Sequence, residues 1–163
     1  RRQEILKLLH QSAHPISASA LAERFSVTRQ VIVGDIALLR SGGADILATP
    51  RGYCIQGAAP GLVRRVAVRH TPHRMETELN IMVDNGCTVV DVIVEHPLYG
   101  QLTGSLQLST RAEVEQFMAR SLTTQPLSAL TGGIHLHTLL CPDEAAFQRV
   151  REALRQEDIL LED

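Results

Sequence analysis

The sequence lacks the pairings that would make its cysteines chemical. Cys54, Cys87 and Cys141 are odd in number, far apart, and in no Cys-x-x-Cys spacing. That argues against a disulfide framework and for a reducing cytoplasm in which they act as small buried hydrophobes. Long apolar runs are also missing: the best, Cys87 to Val94, is interrupted by Asp91, so no membrane span is expected. No signal-peptide pattern opens the chain, which starts at Arg1, so the natural start is expected upstream. Internal repeats and low-complexity tracts are absent. So are a phosphate-cradling glycine loop, a nucleophile elbow and a second carboxylate placed as general base, and this weighs against an enzyme. What is present, 44% apolar and 21% charged residues over 163 positions, is enough for one ordinary globular domain or two small ones, each with a real core.

The net charge of −2 conceals an asymmetry: residues 1–60 hold seven Arg and Lys against four Asp and Glu, and residues 61–163 hold nine against fourteen. A polyanion should therefore meet the first part. Ile5, Leu8 and Leu9 mark a helix over Arg2 to Gln11, which Pro15 stops. Ser17 can cap a second helix through Phe25, with Leu21, Ala22 and Phe25 inside. After a turn at Ser26-Val27, Thr28 caps a third helix with the stripe Ile32, Ile36 and Leu39. Three short helices in this layout predict a helix-turn-helix whose third helix enters the major groove. Thr28, Arg29, Gln30, Val33 and Gly34 would then face DNA, with Arg29 and Gln30 suited to guanine and adenine edges. Gly34 in a helix interior gives up about 1 kcal/mol relative to Ala, which a close backbone approach would explain. Ile46 to Thr49 and Gly52 to Ile55 flank Pro50-Arg51, predicting a wing with Arg51 near phosphate or minor groove.

Gln56 to Gly61 has linker composition, placing a DNA-binding domain over 1–57 and a second domain over 62–163. The second reads as strand (62–70), helix (from Pro72 to Asn85-Gly86), strand (88–96), strand (101–108), helix (capped by Thr110 with Glu113), a polar loop (121–133), strand (from Ile134), helix (143–156) and a short last strand (159–161). This is the split βαβ order. The fold class is thus α+β: a winged helix-turn-helix followed by an antiparallel sheet with helices on one face.

Gly132-Gly133-Ile134-His135-Leu136-His137 is the stretch around which the second domain is organised. The two-residue period of a strand puts both imidazoles on one face, where they can ligate one metal ion or be half-buried structural histidines. Upstream, His70 ends a strand. Glu78, eight residues later, lies beside the stripe of Met75, Leu79, Met82 and Val83 on a helix that packs on the sheet. A carboxylate there must be paired or coordinated. His70, Glu78, His135 and His137 together would suit zinc, nickel, cobalt or iron, while His73 and Glu76 are substitutes that spacing alone leaves open. If Glu78 shares an ion with the strand histidines, Ile134, Leu136 and Leu140 occupy the opposite face, which predicts burial by another subunit. His96, with Tyr99 and Gly100, is either a turn histidine bonded to backbone or the mouth of a pocket for a small carboxylate.

Arg29-Gln30-Val31-Ile32-Val33, Asp35 to Arg40 and Ile46 to Tyr53 resemble the winged-helix half of the niacin-responsive transcriptional repressors. Arg69-His70-Thr71-Pro72, Val83 to Gly86, Glu95 to Gly100 and Gly132 to His137 resemble their three-histidine (3H) domain, so the resemblance covers nearly the whole chain. It implies a cytoplasmic homodimeric repressor of genes for NAD synthesis or niacin uptake, with nicotinic acid as co-repressor, operator DNA as partner, and a divalent metal held by His70, Glu78, His135 and His137. Gly34 stands where the family pattern leads one to expect a long polar side chain. Two other readings compete: a metal-dependent hydrolase with a DNA-binding appendage, and a repressor for which the metal itself is the signal.

Overall fold

The computed structural model of the protein describes residues 1–55, 61–122 and 132–162. Most of the expected linker and of the expected polar loop, residues 56–60 and 123–131, lies outside them. The chain divides into two compact units, Arg1–Ala59 and Pro60–Asp163.

In the first unit α1 (Arg2–Gln11), α2 (Ala18–Phe25) and α3 (Arg29–Ser41) form where apolar stripes follow capping residues. Ser17 accepts from the Ala20 amide at 3.0 Å and Thr28 from the Val31 amide at 3.2 Å, each satisfying a donor the helix itself leaves open. Ile5, Leu9, Leu21, Ile32, Ile36, Leu39 and Ile46 make the core, and Leu8 and Phe25 pack on it half-buried. Each such aliphatic side chain contributes about 1.5–3 kcal/mol. β1 (Ile46–Thr49) and β2 (Gly52–Ile55) pair antiparallel as the wing. Its second strand is also held to the segment between α1 and α2: Ile16 and Tyr53 exchange amide bonds of 2.9 and 2.8 Å. Gly52 has φ +134°, and a Cβ there would lie 2.4 Å from the Ile16 carbonyl carbon and oxygen, so only glycine fits. Asp35 is buried on α3 and bonds the Arg1 guanidinium at 2.6 Å. The Arg1 hydrogen bond holds its carboxyl below the usual carboxylate range.

The second unit holds β3 (Leu62–Arg69), α4 (Met75–Asp84), β4 (Thr88–His96), β5 (Gly100–Leu108), α5 (Arg111–Ser121), β6 (Ile134–Cys141) and α6 (Glu144–Gln156). The helix expected to open at Pro72 starts three residues later, after a 3-10 turn over Pro72–Arg74. Arg74, at φ −99° and ψ 2°, lies outside the helical range and separates the two. Strand order is β3-β6-β4-β5 and every pairing is antiparallel. β6, last in the sequence, is therefore interior to the sheet, between β3 and β4. On β6 buried His135, His137, Leu139 and Cys141 alternate with the more open Ile134, Leu136 and Leu140. Leu79, Met82, Val114, Phe147, Val150 and Leu154 cover the buried face from the three helices. Ile159 to Leu161 run beside β3 through a single bridge, Leu160 to Val68, and flanking amide bonds. Among the described residues, no helix is long and apolar enough to cross a membrane.

Candidate functional site

Antiparallel register fixes the first contacts. β3 sets Val68 opposite His135 and Val66 opposite His137, and β4 sets Val92 opposite His137, so both imidazoles rise from the sheet toward α4. Glu78, one turn into α4, descends between them and is fully buried. His70, just past β3, closes the group from the side. The histidine side chains are 1–4% exposed. His135 Nε2 lies 3.0 Å and His137 Nε2 2.5 Å from Glu78 Oε1, and His70 Nε2 contacts Glu78 Oε2. Donor atoms of His70, Glu78 and His135 all lie within 4.8 Å of one another. The substitutes His73 and Glu76 are both exposed.

The other ring nitrogens explain the orientation. His70 Nδ1 donates to the Thr71 carbonyl at 2.7 Å, His135 Nδ1 to the Gly133 carbonyl at 2.9 Å, and His137 Nδ1 to the Asp91 carbonyl at 2.7 Å. A carbonyl oxygen carries no hydrogen, so each Nδ1 must. In its neutral form each ring is thereby fixed in the tautomer that turns an Nε2 lone pair toward Glu78, the outer-shell arrangement metal-ligating histidines adopt, and in its protonated form Nε2 donates to the carboxylate instead. Gly133 is needed for this packing: at φ +94°, a Cβ would come within 2.2 Å of the His70 carbonyl oxygen.

Electrostatics point the same way. Burial pushes the Glu78 carboxyl up, but the charge of His137 and hydrogen bonds from the three rings outweigh it and hold it well below the usual range. Burial lowers His70 and His137, and the Glu78 carboxylate more than reverses this, so both sit above the ordinary imidazole value. Protons alone satisfy the group poorly, because two protonated rings already exceed the single negative charge available in a site closed to water. A divalent cation accepts neutral Nε2 lone pairs and a carboxylate at once, so the donor set of His70, Glu78 and His135 fits such an ion, with His137 Nε2 beside the same carboxylate.

The residues expected to face DNA sit at the start of α3. Arg29, Gln30, Val33 and Gly34 are exposed, and a Cβ on Gly34 would meet nothing within 4 Å. Among the described residues, none requires that glycine. Thr28 caps the helix through its hydroxyl oxygen, and Arg51 is half-buried at the wing turn. His96 is a turn histidine: its Nδ1 accepts the amides of Leu98 and Tyr99 at 3.1 and 3.2 Å. The structure does not bring His96, Tyr99 and Gly100 into the imidazole cluster. Val92 is the β4 residue opposite His137, and His96 lies four positions farther, roughly 13 Å at the usual strand rise.

Sequence reasoning missed the three carbonyl acceptors, which no side-chain pattern encodes, and the pairing of Cys87 with Cys141, whose sulfurs lie 3.1 Å apart. That second contact follows from the β4–β6 register, which the sequence does not reveal.

Comparison with known proteins supplies the context. Residues 63–163 match the 3H domain family and residues 1–54 an HTH domain family. The chain is 46% identical over 165 residues to the probable transcription repressor NiaR of Thermotoga maritima, covering all of this chain and 94% of that protein. It is 43% identical over 169 residues to the transcription repressor NadR of Bacillus subtilis, again covering all of this chain and 94% of that protein. Both relatives are named as repressors, not as enzymes, which removes the hydrolase reading. A DNA-binding helix-turn-helix unit joined to a 3H unit, at this identity and over this length, places the chain in the NiaR/NadR family of transcription repressors.

Proposed function

We propose that this repressor acts on genes of NAD synthesis or niacin uptake, with nicotinic acid as co-repressor and a divalent metal held by His70, Glu78, His135 and His137. The observation that carries the metal reading is the convergence of three Nδ1-locked imidazoles on one buried carboxylate. Such an ion, when bound, supplies positive charge that neutralises Glu78 and ties α4, β3 and β6 together. Nickel, zinc, iron and cobalt all accept this donor set. The protein works in the cytoplasm, where its operator is. Arg29 and Gln30 read base edges, Val33 and Gly34 let α3 approach closely, and Thr28 and Arg51 meet the backbone. Two such units must stand at half-site spacing, which a homodimer provides. The uncovered sheet face, with Ile134 41% and Val63 60% exposed and Leu136 and Leu140 beside them, supports that assembly.

Operator gel shifts on the metal-loaded protein test the whole. Binding should tighten with nicotinic acid and fall when His135 and His137 are replaced by alanine. No change in either condition refutes the reading. The depth of the cluster favours one competitor, in which the ion itself is the signal. Metal-dependent operator binding that ignores every pyridine carboxylate would select it.

A further inference from the structure

Two clefts lie beside the imidazole cluster, and their chemistry differs. One, about 390 Å³, is lined by Ala67, Ile93, Val94 and Leu136, with Gln101 and His135 as its neutral polar side chains and Glu95 as its charge. It holds no arginine or lysine to receive an anion. The other, about 700 Å³, falls in the size range of small-molecule sites and is bounded by Arg69, His70, Thr71, Gly132, Gly133 and Asp158, with an apolar wall from the chain that follows.

We propose that the 700 Å³ cleft is where a small carboxylate effector binds, with Arg69 as the residue that receives the carboxylate. The proposal rests on the effector reading above and adds a place and a residue to it. Arg69 ends β3, and its amide donates to the Ile159 carbonyl at 2.8 Å, which anchors its backbone at the rim. Its side chain is exposed and has no ion-pair partner among the described residues. Arg64, Arg74 and Arg111 of the same unit, by contrast, are held by Glu144, Glu157 and Asp84 at 3.0, 2.6 and 2.5 Å. A guanidinium left over at a cleft mouth is a ready bidentate partner for a carboxylate. Gly132 and Gly133, at φ +65° and +94°, add no side chain, and a Cβ on Gly132 would meet nothing within 4 Å among the described residues. A flat ring carrying a carboxylate would then meet Arg69 through that group and lie against the Gly132-Gly133 turn and the apolar wall of Ile159, Leu160 and Leu161.

The cleft also touches the cluster. His70 lines it, and Thr71, another lining residue, provides the carbonyl that takes the His70 Nδ1 proton. A ligand pressed on the Thr71 peptide therefore acts on the orientation of one of the four converging side chains. That couples effector binding to His70 through the hydrogen bond at the adjacent peptide.

Calorimetry on the full-length, metal-loaded protein with nicotinate and nicotinamide as probes decides the matter. Arg69→Gln should weaken nicotinate at least about tenfold, the worth of a charge-assisted bond, and leave nicotinamide affinity, metal content and thermal midpoint as they were. Arg69→Lys should retain most of the nicotinate affinity. Backbone amide shifts in the wild type give a second readout that needs no variant: nicotinate should move Thr71, Gly132, Gly133 and Leu160 before Tyr99 and Gly100. If wild type binds nicotinate and Arg69→Gln binds it equally, or the shifts map to the β4–β5 turn, the cleft assignment is overturned while the effector reading survives. If wild type binds no pyridine carboxylate, the effector reading falls and takes the cleft with it.

Discussion

Replacing Glu78 by glutamine keeps volume and one acceptor oxygen, exchanges the other for a donor NH2, and removes the one negative charge among three imidazoles. At 4 Å and an effective dielectric of 20, a unit charge pair is worth about 4 kcal/mol, roughly a thousandfold in affinity. An ion supplied at about a thousand times its Kd stabilises the folded state by roughly 4 kcal/mol. The second unit, Pro60–Asp163, is about 100 residues long, for which each kcal/mol moves Tm by roughly 4–8 °C. Metal should therefore raise the wild-type Tm by about 15–30 °C. In Glu78→Gln the same concentration sits near Kd, where stabilisation is about 0.4 kcal/mol and the shift only about 2–3 °C. Differential scanning calorimetry with and without chelator, on both proteins, reads the difference directly. An equal metal-dependent shift in the two would refute the argument that this carboxylate neutralises a cation.

In the ion-free protein His70 and His137 hold protons above the ordinary imidazole value because Glu78 faces them, so metal uptake near pH 6.5 should release protons, and affinity should decline as pH falls; calorimetry in buffers of different ionisation enthalpy counts them, and pH-independent uptake would exclude these rings as ligands. Gly34→Ala should raise the stability of the first unit by up to about 1 kcal/mol, since its Cβ meets nothing, and yet weaken operator binding; undiminished operator affinity would remove Gly34 from the DNA-facing surface. Leu136→Arg on the apolar sheet face should convert a dimer to a monomer in sedimentation at micromolar concentration, whereas an intact dimer would place the interface elsewhere. Titration of the native protein with a thiol reagent should modify half-exposed Cys54 first, because Cys87 and Cys141 are buried and burial pushes the Cys87 thiol up to about 12; three thiols reacting at one rate would contradict that packing.

The helix-turn-helix was legible because its signals are local. Ser17 and Thr28 precede the stripes they cap, and Ile32, Ile36 and Leu39 repeat with the helical period. The face shared by His135 and His137 was legible for the same reason, since strand alternation is a property of neighbours. Glu78 was harder. Its position beside an apolar stripe marked it as a buried charge, while Glu76 and His73 had nearly the same spacing, and only the packing of α4 separated them. For His96 the sequence left two readings open, a turn histidine bonded to backbone and the mouth of a carboxylate pocket with Tyr99 and Gly100, and the bonds its Nδ1 accepts from two amides are those of the turn.

Periodicity, capping residues and the family motifs were enough by themselves to specify two units, their element order, and the short set of imidazoles and carboxylates from which the buried cluster is drawn. Tertiary structure decided which strand lies between which others, and with it which imidazole meets which carboxylate, which carbonyl locks each ring, and which arginine is left over at the rim of a cleft. The reason is one of range. Capping and amphipathicity are settled within a few residues of chain, but β6 docks between β3 and β4 through hydrogen bonds that any backbone can make, so its place is chosen by the burial of side chains tens of residues apart.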